Sequence, residues 1–187
     1  MNKKDVRDIF KTAISLFLIC AIAAGLLAAV NSVTAPKISA NSAETENEAR
    51  KAVLPGSTDF EEKKLDDGTV YFVGSSGTEQ TGYVFTVSSS GYGGEIKLTV
   101  GVDNDGAVTG LTILSINETP GLGMNAKKDS FISQFIGKSG KLSVVKNQTP
   151  GDSEILAITS ATVTSKAVTA AVNNALELYS RVSGQEG

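Results

Sequence analysis

The sequence predicts an α+β protein: one N-terminal transmembrane helix, then an extracytoplasmic domain built from an antiparallel sheet and a C-terminal helix. Three observations predict it. Residues 12–30 carry no charge, β-type runs cluster between residues 70 and 116 around a tight-turn signal, and residues 166–181 place apolar side chains at helical spacing. Strands grouped before a closing helix point away from a doubly wound nucleotide fold.

The first element is the run ISLFLICAIAAGLLAAV, inside a charge-free stretch long enough for the roughly 20-residue helix that spans a bilayer core. Lys3, Lys4, Arg7 and Lys11 precede it. The twenty residues that follow carry Lys37 and Arg50 alongside Glu44, Glu46 and Glu48. Basic residues stay inside, so residues 1–11 form a cytoplasmic tail, residues 12–31 span the membrane, and the rest is exported. A cleaved secretory signal shares the basic start but has an apolar centre of about 7–15 residues, shorter than this one. A lipoprotein lipidated at Cys20 is a second alternative, against which bulky Ile19 stands where such sites want a small residue. As an anchor residue, Cys20 reads as a small apolar filler. All three readings export the remainder of the chain.

Residues 32–60 read as a polar connector leading into a short helix near 46–54, stopped by Pro55-Gly56. The exported domain follows over 61–187. It begins in a charged segment, DFEEKKLDDG, which reads as solvated. Residues 70–73 and 81–88 are rich in Val, Phe, Tyr and Thr, as strands are. EIKLTVGVD and AVTGLTILSI are joined by Asn104-Asp105-Gly106, a hairpin signal because Asp-Gly tolerates the positive φ of a tight turn. Phe131, Ile132, Phe135 and Ile136 suggest a short helix packed on that sheet. In the last helix Val168, Ala171, Val172, Ala175, Leu176 and Tyr179 form a single stripe, which reads as core.

Length and composition bound the chemistry. At 187 residues, there is room for one domain and an appendage. Seventeen Lys+Arg against twenty Asp+Glu leave a net charge of −3, without the basic excess of a nucleic-acid binder. Histidine is absent, which removes the commonest general base and metal ligand. One cysteine cannot hold an iron–sulfur cluster. Redox chemistry here would need an organic cofactor.

Two stretches carry chemical signal. In TSATVTS, residues 159–165, five of seven residues bear a hydroxyl where the final helix begins. A helix start stabilises a phosphate through its unpaired N–H groups and partial positive charge, yet Thr164 or Ser165 could equally serve as a plain cap. The loop NETPGLG, residues 117–123, follows a strand and is rich enough in glycine to let backbone approach a flat ligand, or to form a simple turn. Tyr92-Gly93-Gly94 is similarly open to either reading. Gly91-Tyr92-Gly93-Gly94 precedes a strand, the wrong context for a dinucleotide fingerprint, and there is no P-loop.

Together these blocks resemble the RnfG component of the Rnf electron-transport complex and, more distantly, the NqrC component of the sodium-pumping NADH:quinone reductase. The likeness runs through the N-terminal span ending in NSVTAPKI, GYGGEIKLTVGVDNDGAVTGLTIL, NETPGLG and ITSATVTSKAVTAAVN, with a family core at about 91–178. It implies an FMN attached through its phosphate to a threonine hydroxyl by a separate flavin transferase that uses FAD. Carried over residue by residue, Thr159, Ser160 and Ala161 lead to Thr162 as acceptor, with Thr164 and Ser165 behind. Ser160 stands where glycine is usual, and Leu156 where an acidic residue is common. Glu118, Thr119, Gly121, Leu122 and Gly123 are then candidates to contact the ring or the ribityl chain.

What the resemblance implies for function is a membrane-anchored relay, a non-autonomous electron-transfer subunit of a redox-driven ion translocase. That complex moves electrons between ferredoxin and NAD while translocating Na⁺ or H⁺ across the cell membrane. Its other membrane subunits, the flavin transferase and membrane lipid are the implied partners. The alternative is a stand-alone extracytoplasmic module that holds FMN noncovalently.

Overall fold

The computed structural model describes residues 3–184, with side chains at all of these except 3–10, 12, 39 and 40. Lys3, Lys4 and Arg7, which set the expected orientation, therefore lie outside the described side chains, as do residues 185–187. The chain divides into two compact units, Met1–Glu44 and Thr45–Gly187.

Helix α1 runs over Lys3–Val53. Its apolar stretch exposes Leu16, Phe17, Ile19, Ile22, Leu26, Leu27 and Val30. Among the described residues one helix is long and apolar enough to cross a membrane, and its most apolar 18-residue window, of mean hydropathy 2.7, has none of its residues buried. The expected polar connector is instead helix through Pro36 to Val53. Pro36 removes one backbone donor, but the residues after it are mostly good helix formers. Nearby, the Ser32 hydroxyl donates to the Ala29 carbonyl and Thr34 to that of Val30, at 2.8 and 2.7 Å, so these side chains bond within the helix rather than against it. Pro55-Gly56 stops the helix as expected, with Gly56 at φ 104°.

The second unit is a sheet covered on both faces. Strands β1 (Asp59–Lys64), β2 (Val70–Ser76), β3 (Glu79–Ser90), β4 (Glu95–Val102) and β5 (Val108–Ser115) form an antiparallel meander in chain order. At the β4–β5 turn, Asp103 Oδ1 accepts the N–H groups of Asp105 and Ala107, and Gly106 sits at φ 84°. Strand β1 is the segment expected to be solvated. It pairs along its whole length with β2, from Asp59 opposite Ser75 to Lys64 opposite Val70. Its charged side chains suit an edge strand, where they discourage pairing with another chain.

Helix α3 (Thr162–Ser183) packs on β3 and β4. Val168, Ala171, Val172, Ala175 and Leu176 of the predicted stripe are buried against Phe85, Leu98 and Val100. On the opposite face, Val53 and Leu54 bury against Val84, flanked by Phe60 and Phe72. Glu46 accepts Lys97 Nζ at 2.7 Å, and the Arg50 guanidinium lies 3.8 Å above the Phe72 ring.

Between β5 and α3 the chain makes short helical turns at Gly123–Lys127, Asp129–Ile132 (α2) and Ser133–Phe135. Phe131 and Phe135 are buried as expected, whereas Ile136 is exposed. Strands β6 (Ser143–Val145) and β7 (Glu154–Leu156) then form a small parallel pair that delivers the chain to α3.

Candidate functional site

The start of α3 is uncapped. Ala161 is the N-cap and offers no side-chain hydrogen bond, while the first helical bond runs from Ser165 N–H to the Ala161 carbonyl at 3.0 Å. Thr162, Val163 and Thr164 thus open the helix with N–H groups ahead of its first bond. Ser165 is fully buried: its hydroxyl accepts Ile158 N–H and donates to the Ala161 carbonyl, both at 2.9 Å. It braces the bend entering the helix. Ser160, just before this bend, holds φ 61°, a left-handed conformation uncommon outside glycine.

The segment leading here is clamped from outside. Gln134 accepts Leu156 N–H at 2.7 Å and donates to the Leu156 carbonyl at 3.4 Å, imitating a strand neighbour. Gln134 carries no motif, so sequence reasoning passed over it.

Opposite stands the loop after β5. Glu118 is buried, and its Oε1 accepts the N–H groups of Tyr92 at 2.7 Å and Gly93 at 3.2 Å. Gly121 takes φ 77°, and its carbonyl accepts from Asn125 Nδ2 at 2.7 Å. Gly123 is squeezed between loop and helix, for a Cβ there would lie 2.6 Å from Glu118 Oε2 and 2.8 Å from Thr164 Oγ1. The two stretches that stood out in the sequence are therefore in contact.

Three clefts meet at the helix start. One, of ≈ 550 Å³, is lined by Tyr92, Glu118, Thr119, Leu122, Gly123 and residues 160–164. A second, of ≈ 830 Å³, runs past Lys146, Thr149, Leu156, Thr159, Ser160 and Thr162. A third, of ≈ 480 Å³, is bounded by Gly121, Leu122, Lys128, Gln134, Thr159 and Ser160. Thr162 lines the first two and Ser160 all three. Of the residues singled out by sequence, Glu118, Thr119, Leu122, Gly123, Ser160, Ala161, Thr162 and Thr164 share the first cleft. Thr159 and Gly121 open onto its neighbours, and Ser165 points into the fold. Tyr92 and Val163 join them without having been singled out as site residues; the glycines around Tyr92 were the available signal.

Residues 1–53 match the RnfG N-terminal region, and residues 91–177 match the FMN-binding domain. The chain is 41% identical to the G component of the Na⁺-translocating ferredoxin:NAD⁺ oxidoreductase complex of Acetobacterium woodii, over 96% of this chain and 95% of that one. It is 37% identical to the G component of the proton-translocating ferredoxin:NAD⁺ oxidoreductase complex of Clostridium ljungdahlii, over 97% of each. In fold it is similar to NqrC of Shewanella oneidensis, with a TM-score of 0.54 at 19% identity, covering 68% of this chain and 67% of that one.

The donor set suits a phosphoflavin. Free N–H groups and hydroxyls at the helix start are the partners a phosphate wants, and Leu122, Val163 and Tyr92 give the cleft apolar walls beside them.

Proposed function

This chain belongs to the RnfG family of ion-translocating oxidoreductase complexes, and from that premise we propose that it is the complex's exported electron relay, carrying FMN on Thr162. The complex is of the ferredoxin:NAD type, coupled to Na⁺ or H⁺ translocation. The observation that carries the reading is the position of Thr162. Its side chain stands at an uncapped helix start, where two clefts meet, facing the Glu118–Gly123 loop.

Attachment is a phosphoryl-group exchange. Thr162 Oγ1 bonds to the flavin-side phosphorus of FAD, the bond to the AMP-side oxygen breaks, and the hydroxyl proton leaves with AMP; a flavin transferase catalyses the step. The resulting phosphodiester keeps one negative charge. The N–H groups of Val163 and Thr164 and the helix dipole hold that charge. When bound, FMN supplies one- or two-electron transfer. Thr162 is an anchor and takes no part in the redox step, while Leu122 and Val163 shield the ring from water. Thr119, Thr159 and Thr164 are hydroxyl partners for the ribityl chain and phosphate.

The division of labour follows from what the sequence carries. It has one cysteine and no nucleotide-binding fingerprint, so clusters and the NAD site belong to partner subunits. The span over residues 12–31 is too apolar to form an ion path, which assigns translocation to partners as well. Its basic flank puts the N-terminus in the cytoplasm and residues 61–187 outside. There a covalent tether prevents loss of a cofactor that no outside pool replaces.

Expression with and without a flavin transferase, followed by mass spectrometry, tests the reading. Added mass on the peptide containing Thr162, and its loss in Thr162→Val, are expected. Flavin fluorescence that stays with denatured Thr162→Val in a gel rules out this acceptor. Flavin lost from the wild type on denaturation, with no other subunits co-purifying, favours a stand-alone module.

A further inference from the structure

We propose that Tyr92 covers the flavin ring and that Glu118 is the positioning residue that holds it there. This rests on Thr162 as the anchor, and deepens it: a phosphate tether fixes one end of a long, flexible group, so a second device must fix the ring.

Tyr92 is unlike the other tyrosines. Tyr71 and Tyr83 are buried in the core, and Tyr179 donates its hydroxyl to the Asn104 carbonyl, whereas Tyr92 is 76% exposed at the mouth of the first cleft. An exposed ring on a floppy turn would mean little, but this turn is pinned. Gly91 N–H donates to the Gly94 carbonyl at 2.8 Å, closing the turn around Tyr92, and Glu118 Oε1 takes the next two N–H groups. A Cβ on Gly91 would run into Glu118, and one on Gly93 into the Asn117 carbonyl. Every neighbour of Tyr92 in the turn is thus a glycine, and the one side chain presented is the phenol ring.

A link between β3 and β4 needs no buried carboxylate. Burying one is costly unless its oxygens are bonded, and here backbone N–H groups of the Tyr92 turn do the bonding. What Glu118 fixes is the place of the Tyr92 ring relative to the α3 start. A phenol there, lining the same cleft as Val163, suits offset stacking on a flat heteroaromatic ring.

The test uses the full-length flavinylated chain in detergent, with mass spectrometry confirming flavin on Thr162 before any optical reading. A stacked phenol quenches flavin emission and shields the ring from iodide. Tyr92→Leu is expected to raise emission several-fold and to increase quenching by iodide. Tyr92→Phe should brighten the flavin yet keep it shielded. Glu118→Ala should reproduce Tyr92→Leu through release of the turn, and Glu118→Gln, whose amide oxygen still accepts both N–H groups, should stay close to wild type. Unchanged emission and iodide access in Tyr92→Leu, with flavin still on Thr162, overturns the cover. A wild-type chain with no flavin on Thr162 overturns the anchor instead. Glu118→Gln behaving like Glu118→Ala overturns the positioning role of Glu118 alone.

Discussion

Thr109 donates its hydroxyl to the carbonyl of Val53 at 2.6 Å, fastening the last turn of α1 to the start of β5. That carbonyl is one of the four that a helix leaves without an internal partner. The approach is possible because Gly101 and Gly110, paired across β4 and β5, present no side chains. A Cβ on Gly110 would stand 2.5 Å from Val53 Cα and 2.6 Å from its carbonyl oxygen. Gly110→Ala should therefore cost about 1–3 kcal/mol by overpacking. Thr109→Val, which leaves the carbonyl unpaired, should cost about 1 kcal/mol. Urea titration followed by circular dichroism measures both, and an unchanged midpoint in Gly110→Ala would mean that this turn is not held against the sheet.

Ser160 lies at φ 61° two residues before Thr162, the proposed anchor. The left-handed region costs an L-residue roughly 1–2 kcal/mol, of which a glycine gives back part through its freer unfolded chain, so Ser160→Gly should stabilise by about 0.5–1 kcal/mol. Ser160→Val, β-branched, should destabilise. Thermal melts decide the sign; a lower melting temperature for Ser160→Gly would show that the serine hydroxyl does more for the bend than its backbone costs.

How far the sequence reveals the structure depends on which force fixes each part. The sheet centre and α3 were legible because their apolar side chains are periodic: Ile96, Leu98, Val100 and Val102 alternate along β4, and the α3 stripe recurs at every third or fourth residue. Strand β1 was not, since an edge strand exposed on most positions reads Asp-Phe-Glu-Glu-Lys-Lys, like a solvated loop, and only pairing with β2 reveals it. The connector misled for the opposite reason: its polar residues read as a linker, but helix propensity carries α1 across them and across Pro36. Hydroxyls and glycines marked both walls of the site. The glycines beside Tyr92 pointed to its turn without telling a ligand wall from a plain turn, whereas Gln134 is placed by tertiary geometry alone.

Gly123 couples the two walls. A methyl group there would meet Glu118 Oε2 at 2.6 Å, Glu118 Cβ at 2.7 Å and Thr164 Oγ1 at 2.8 Å, so the glutamate must move. Gly123→Ala is expected to cost about 1–3 kcal/mol in stability. It should also free Tyr92 and Gly93 from Glu118, brightening a flavin carried on Thr162 as expected for Glu118→Ala, while leaving the proposed attachment intact. Denaturation and flavin emission on one preparation read both effects; destabilisation with emission unchanged would uncouple Gly123 from the Tyr92 turn.

The pH dependence of the sheet domain should have two separable limbs, both at the far end of α3. Asp67 accepts from Thr69 and from Arg181, the latter at 2.6 Å, and these bonds hold its carboxyl well below the usual carboxylate range. A lowered folded pKa contributes stability that is complete above the unfolded value of about 3.9 and is lost as the pH falls below it. The pair is open to solvent, so salt should weaken it. Tyr179 is shifted the other way: burial, then the carboxylates of Asp103 and Asp105, raise its pKa. Its contribution is complete below the unfolded value of about 10 and is lost as the pH rises through the folded one. Asp67→Asn should flatten the acid limb and leave the alkaline limb alone. Tyr179→Phe should flatten the alkaline limb and, having lost the 2.6 Å bond to Asn104, lower the plateau between them. Stability profiles of the two variants against wild type at low and high salt measure this, and an acid limb unchanged in Asp67→Asn would assign acid sensitivity to other carboxylates.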